Sequence, residues 1–279
     1  MSHIKESKTV YLLNSDIYYE YYFSEEHKNK PVLVFIHGFI SSLFCFRKIV
    51  PALKKNYNCL LFDLPGFGRS GKLKGFRYSF DNYANTVLRL TELLNIEKMI
   101  IIGHSMGGQV GLYTALKKTE WVQGLILLNS SGYLKKVKRS YLYASYLPFA
   151  DTLMKWWISK KDYQTALETV VFNRRIIDAK LIDGYRQPLQ EQEFYRSMLY
   201  LIRDREGDLS KEQLLQVDQP CLLIWGEADH IIPYRIGQKL ANDLRNSQLV
   251  CLKNTGHLTP EERPKLVIKY IQQFLKKHV

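Results

Sequence analysis

Short unbroken apolar runs alternate along the chain with longer stretches whose apolar residues recur every three to four positions. The runs are Val32-Leu33-Val34-Phe35-Ile36, then Cys59 to Phe62, Met99 to Ile102, Leu125 to Leu128, Cys221 to Trp225 and Gln248 to Leu252. Runs this short and continuous read as strands buried on both faces of a parallel sheet. The stretches at 42 to 55, 79 to 95, 106 to 119, 234 to 244 and 260 to 276 carry helical periodicity. Strand and helix in alternation predict an α/β fold, a mostly parallel sheet with helices on both faces. Two earlier runs, Thr9 to Leu13 and Ile17 to Phe23, flank Asn14-Ser15-Asp16 and predict an antiparallel hairpin at the sheet edge. Before the last helix, Thr259, Pro260 and Glu262 have the spacing of a capping box.

This rhythm fails between 133 and 215. Only helical patterns occur there, interrupted at Pro148, Gly184, Pro188 and Gly207 and dense in aromatic residues such as Tyr141, Tyr143, Tyr146, Trp156 and Trp157. The simplest organisation is a core of residues 1–132 and 216–279 with a helical insertion, 133–215, inside the same domain. A chain of 279 residues is long for one domain, but sheets covered on both faces reach this size.

Composition narrows the class. With 46% hydrophobic and 24% charged residues, the chain is ordinary for a soluble globular protein and too apolar for an extended disordered one. The polar start, Met1 to Tyr11, lacks the apolar region of a secretory signal, and no apolar stretch approaches the roughly 20 residues that span a bilayer, so the chain reads as cytoplasmic. Cys45, Cys59, Cys221 and Cys251 have no C-x-x-C spacing and are expected as buried reduced thiols.

The net charge of +13 is diffuse, and no nucleic-acid-binding motif accompanies it, which favours a solvated basic surface over a nucleic-acid partner. One concentration stands out: Lys135, Lys136, Lys138, Arg139, Lys155, Lys160 and Lys161 face the single acid Asp151. Together with Trp156 and Trp157 it admits weak contact with an anionic membrane surface, a solvated face being the plainer reading.

The chemistry concentrates in Gly103-His104-Ser105-Met106-Gly107-Gly108, placed between a strand run and a helical stretch. A turn this tight strains its middle residue, lifts that side chain over the sheet edge and admits only small neighbours; the pattern is the G-x-S-x-G nucleophile elbow. A glycine-rich turn could instead cradle phosphate, but neither phosphate-loop pattern is present. A serine hydroxyl needs a base to take its proton. Among the seven histidines, His257 lies in Asn254-Thr255-Gly256-His257-Leu258, between the last strand and the last helix, whereas His37 and His104 sit within turn motifs that they plausibly support. The base needs an acid to fix its tautomer. Asp229, in Gly226-Glu227-Ala228-Asp229, follows the Trp225 strand and would project from the same edge, with Glu227 as competitor. The N–H groups of Phe39, in His37-Gly38-Phe39, and of Met106 are the candidate oxyanion donors. The loop Asp63-Leu64-Pro65-Gly66-Phe67-Gly68-Arg69-Ser70 reads as structural.

Taken together, these five ordered motifs closely resemble those of the α/β-hydrolase superfamily, in its serine carboxylesterase-like branch. The resemblance covers nearly the whole chain. It implies an eight-stranded sheet, a helical cap at about 133–215, a pocket between cap and core, and the catalytic triad Ser105, Asp229 and His257 with Phe39 and Met106 as oxyanion donors. Some relatives carry the acid after the preceding core strand, where this chain has Asn129.

The implied reaction is cleavage of a carboxylic ester with an apolar acyl part through an acyl-enzyme, with no cofactor or metal. Alternatives are a carbon–carbon bond hydrolase, or a lyase like that of menaquinone synthesis. That lyase usually has tyrosine before the nucleophile and arginine after the glycines, where this chain has His104 and Gln109. From another class, a ligand-sensing signalling protein with a residual triad fits the same pattern. The aromatic residues of the insertion suggest an acyl pocket, with plain packing the favoured reading; no oligomeric state is read from the sequence.

Overall fold

The apolar runs form one sheet. A computed structural model of the protein describes residues 4–72, 75–160 and 162–279; Met1 to His3 of the polar start and Lys161 of the basic stretch lie outside them. The strands are β1 (Ile4–Leu12), β2 (Ser15–Phe23), β3 (Val32–Ile36), β4 (Cys59–Phe62), β5 (Met99–His104), β6 (Val122–Leu128), β7 (Cys221–Gly226) and β8 (Ser247–Leu252), in the order β1-β2-β4-β3-β5-β6-β7-β8 of an eight-stranded sheet. Strands β3 to β8 are parallel; β2 runs antiparallel to β1 and to β4. The expected edge hairpin is there, closed by Leu13 and Asn14, both with positive φ, as a two-residue turn that follows the strand twist requires.

The helices are α1 (Val50–Leu53), α2 (Phe80–Leu93), α3 (Met106–Lys117), α4 (Arg139–Ala144), α5 (Ala150–Ser159), α6 (Tyr163–Val170), α7 (Ala179–Arg186), α8 (Gln192–Asp204), α9 (Lys211–Leu214), α10 (Tyr234–Asp243), α11 (Thr259–Glu262) and α12 (Pro264–His278). Successive strand residues point to opposite faces, and both faces are covered. Val34, Ile36, Ile101 and Leu125 pack with Val87 of α2 and Val110 of α3. Leu33, Phe35, Ile100 and Ile126 pack with Leu53 of α1 and Ile271 of α12. Each central strand therefore needs apolar residues at every position, which is why those strands read as unbroken runs.

Between β6 and β7 the described residues form helices α4 to α9 and no strand. Gly184 does not interrupt this segment: it lies within α7, where an added Cβ would collide with the Phe44 ring, so the missing side chain serves close approach rather than a break.

Four further expectations fail for local reasons. The stretch 42 to 55 forms a short 3-10 turn, Leu43–Phe46, and the single turn α1 in place of one helix. Its spacing reflects packing of Cys45, Phe46, Ile49 and Leu53 against the sheet, and the Asp63 carboxylate takes the Leu43 N–H at 2.7 Å. The last helix is broken at Arg263, whose φ of −131° and ψ of 48° are non-helical, as the residue before Pro264 is pushed out of the helical region. The capping box is absent as well: Leu258 occupies the cap position, Thr259 Oγ1 is buried without a partner, and Glu262 reaches elsewhere. Finally, Cys45, Cys59 and Cys221 are buried free thiols, but Cys251 is exposed because β8 is an edge strand.

Candidate active site

Strand β3 turns to β4 on one side of the sheet and β5 turns to β6 on the other, so the segments leaving β3 and β5 diverge and open a crevice at their carboxyl ends. Both carry site candidates. Ser105, between β5 and α3, has φ 52° and ψ −120°, a conformation that a side chain rarely adopts. The surrounding glycines make it possible. A Cβ on Gly103 would lie 2.5 Å from the Gly107 carbonyl oxygen, and one on Gly107 would collide with the carbonyl of Ile36 at the end of β3. A Cβ on Gly38 would lie 2.9 Å from Cβ of Ser105, so the turn after β3 lies directly against the serine. Among the described residues, the N–H groups of Phe39 and Met106 have no protein acceptor; that of Met106 is an open donor at a helix N-terminus.

Asp229 and His257 come together across 28 positions of sequence. His257 Nδ1–H donates to Asp229 Oδ2 at 2.8 Å, both side chains being nearly inaccessible. The other carboxylate oxygen accepts the N–H groups of Ile231 (2.8 Å) and Ile232 (2.9 Å). Burial pushes the Asp229 carboxyl upward, but the His257 hydrogen bond and charge, the Ile232 N–H and the Asn129 amide outweigh it and hold it below its ordinary value. Glu227, the competing acid, is exposed and accepts the Asn254 N–H at 3.4 Å, away from the imidazole.

Four residues support this pair, and only part of their role is visible in sequence. Asn129, at the end of β6 with φ 46°, donates its amide to Asp229 Oδ2 at 2.7 Å. His104 Nε2–H donates to the His257 carbonyl at 3.0 Å; burial holds this imidazole down at about 3, hence neutral, and its Nδ1 lone pair has no partner. His37 donates from Nδ1 to the Gly38 carbonyl (2.8 Å) and accepts the Leu64 N–H on Nε2 (2.9 Å), fixing the turn after β3 in the supporting role expected of it.

Glu262 accepts the Gly256 N–H at 2.8 Å on one oxygen and the Phe172 and Asn173 N–H groups at 2.9 and 3.1 Å on the other. The His257 N–H donates to the Val170 carbonyl at 2.8 Å, so the histidine loop is fastened to the end of α6. The Asp63 loop is structural: its carboxylate takes the Leu43 and Arg69 N–H groups, and Ser70 Oγ donates to the Asp63 carbonyl at 2.6 Å.

Ser105 and His257 open into one cavity of about 430 Å³ between the sheet edge and the helical segment. Its walls are apolar: Phe39, Ile231 and Leu258 from core loops, with Trp157, Leu167 and Tyr185 among those from the helices. Arg186 stands at the wall, its guanidinium 5.5 Å from the Tyr163 ring. Among the described residues, no group of three or more His, Cys, Asp and Glu is placed to hold a metal ion.

A doubly covered parallel sheet, with a strained serine at its switch point and a buried carboxylate–imidazole pair beside it, defines a hydrolase class. The chain belongs to the α/β-hydrolase fold family, whose model matches residues 31–264. It is 42% identical over 261 residues to the uncharacterized hydrolase YugF of Bacillus subtilis (strain 168), covering 94% of each chain. It is 25% identical to monoacylglycerol lipase abhd6-B of Xenopus laevis, over 88% of this chain and 76% of that one. The meta-cleavage product hydrolase of Pseudomonas fluorescens IP01 superposes with a TM-score of 0.78 at 21% identity, over 97% of both chains, a likeness of fold.

Proposed function

We propose that this hydrolase cleaves carboxylic esters with an apolar acyl part, using Ser105 as nucleophile. The observation that carries the reading is the 2.8 Å bond between His257 Nδ1 and Asp229 beside a strained serine in the same apolar cavity. With Nδ1–H held by the carboxylate, Nε2 keeps its lone pair and takes the Ser105 proton as Oγ attacks the ester carbonyl. The carbonyl oxygen becomes an oxyanion facing the Phe39 and Met106 N–H groups, the leaving alcohol receives the proton from His257, and an acyl-enzyme remains. A water that gives its proton to His257 then attacks the acyl carbon and frees the acid and Ser105.

The helices between β6 and β7 act in this reading as a cap that supplies most of the acyl-binding wall. Kinship with a monoacylglycerol lipase supports an ester substrate with a long apolar part.

Steady-state hydrolysis of p-nitrophenyl esters from acetate to palmitate tests it. Turnover should be sustained, fall by at least about 10³-fold in Ser105→Ala, and peak at a chain length that fits the cavity. Absence of turnover on every ester would move the reading to a carbon–carbon bond hydrolase, a lyase or a ligand sensor on the same scaffold.

A further inference from the structure

Among the described residues, half of the exposed large apolar side chains crowd into one part of the molecule, the beginning of the helical segment. Tyr141, Tyr143, Tyr146, Leu147, Phe149, Leu153, Trp156 and Trp157 are all exposed, Phe149 at 80% and Leu153 at 64%. Neither α4 nor α5 buries a single residue. This defeats the packing reading of the aromatic residues here: Tyr141, Tyr143, Tyr146 and Trp156 neither fill a core nor line the cavity. Leu153 and Trp156 lie at helical spacing on one face of α5, and Phe149, at its N-cap with φ 59°, is exposed at the start of the same helix. A different face of α5 docks on α8, where the Asp151 carboxylate accepts from Arg196 Nε at 3.0 Å and Gln192 at 3.1 Å, and Met154 and Ile158 pack against the core. The helix is thus apolar both where it is held and where it faces outward.

The charge carried by this stretch of chain is nearly all of one sign. Residues 135–160 include Lys135, Lys136, Lys138, Arg139, Lys155 and Lys160, and Asp151, their single acid, is already paired with Arg196. Lys160 Nζ lies 3.5 Å from the centroid of the Trp156 ring. From α8, Arg203 lies over Tyr146, 4.2 Å from its centroid, and donates to Ser145, so the loop after α4 is held on the same helix. The surface is also continuous with the candidate active site, because Trp157 and Ile158 of α5 line the cavity that holds Ser105.

Exposed apolar and aromatic side chains beside lysines, with the one acid of residues 135–160 already paired, match the interfacial layer of an anionic bilayer: rings at headgroup depth, ammonium groups on phosphates. We infer that the face of α4 and α5 built on Tyr143, Phe149, Leu153 and Trp156 docks on an anionic lipid surface and sets the cavity mouth against it. The inference deepens the ester-hydrolase reading by naming where the substrate comes from: lipid esters or their apolar fragments enter from the membrane.

Vesicle co-sedimentation tests the docking without catalysis, using the full chain as Ser105→Ala. Binding is expected to vesicles of phosphatidylcholine mixed with phosphatidylglycerol, to weaken with added salt, and to be slight on phosphatidylcholine alone. Phe149→Ser/Leu153→Ser/Trp156→Ser should weaken it by about tenfold or more, and Lys135→Glu/Lys160→Glu by about fivefold for each charge reversed. In the active chain these variants should hydrolyse a soluble short-chain ester as before, which separates loss of docking from failure of the ester-hydrolase reading. Equal binding to neutral vesicles, or anionic binding unchanged in the triple variant, would overturn the inference. So would a concentration-dependent dimer abolished by the triple variant, which would give the face to a second copy of the chain.

Discussion

The loops at the carboxyl edge of the sheet and the helices that cover them meet in one cavity but are specified in opposite ways. Around Ser105, neighbouring atoms approach so closely that Gly38, Gly103, Gly107 and Gly108 leave no room for a Cβ. On α4 and α5, helices of 6 and 10 residues, the outward face carries apolar side chains that touch no core. In the first region the chain's own geometry dictates the sequence. In the second, packing within the chain leaves the exposed side chains unexplained, and the proposed lipid surface would account for them.

The most severe way to break the comparison is at the elbow. Gly107→Ala places a Cβ into the Ile36 carbonyl, with backbone on both sides and nothing able to yield. Unfolding in denaturant should show a loss of about 4 kcal/mol or more, or no folded protein. Near-native stability would mean that the elbow tolerates far more movement than its contacts indicate.

A pair of truncations sharpens the contrast. Leu125→Ala, at a fully buried position of β6, should cost about 2–5 kcal/mol, whereas Leu153→Ala on α5 should stay within about 0.5 kcal/mol. Equal costs would show that the α5 face is covered within the molecule.

A smaller effect is expected at the support for the acid. Asn129→Gly keeps the left-handed backbone and removes the amide that donates to Asp229 at 2.7 Å. Loss of a hydrogen bond to a charged group, about 2 kcal/mol, should lower kcat about thirty-fold with little change in KM. An unchanged kcat would show that the two backbone N–H groups hold Asp229 unaided.

The smallest effect tests how the two ends of the helical segment are tied to each other. Asp208 Oδ2 accepts the Leu134 N–H at 3.1 Å, and burial raises this carboxyl to about 6. The folded chain thus keeps a proton that the unfolded chain releases near pH 4, so the contribution is full below that pH and is lost as pH rises through about 6. Unfolding free energies of Asp208→Asn should lack this decline, roughly 1–2 kcal/mol between pH 4 and 6. A variant with the same slope as the unaltered chain would assign it to another group.

The same contrast explains what could be read without coordinates. The central strands, the edge hairpin, α2, α3 and α10 were legible because doubly buried strands read as unbroken apolar runs and helices packed on the sheet carry apolar residues at a period near 3.6. The residues that the structure brings together as Ser105, Asp229 and His257 were legible because each sits in a turn directly after a strand. Asn129 was noticed only as an acid's usual place, with no signal that its amide would bond the acid that replaced it. Glu262 departs from what its position in the sequence suggests. Its spacing from Thr259 suits a capping box, but its partners at Phe172 and Asn173 lie some 90 positions away, and local spacing carries no trace of them. The stretch 42 to 55 failed because apolar residues of a 3-10 turn can mimic a helical period over a few positions.

The most direct measurement is the intact mass and peptide map of the chain quenched with acid during turnover of a p-nitrophenyl ester. The proposed mechanism predicts one acyl group on the peptide carrying Ser105, formed with a burst of p-nitrophenol and absent in Ser105→Ala. Acylation at another residue, or ester turnover that persists in Ser105→Ala, would contradict it.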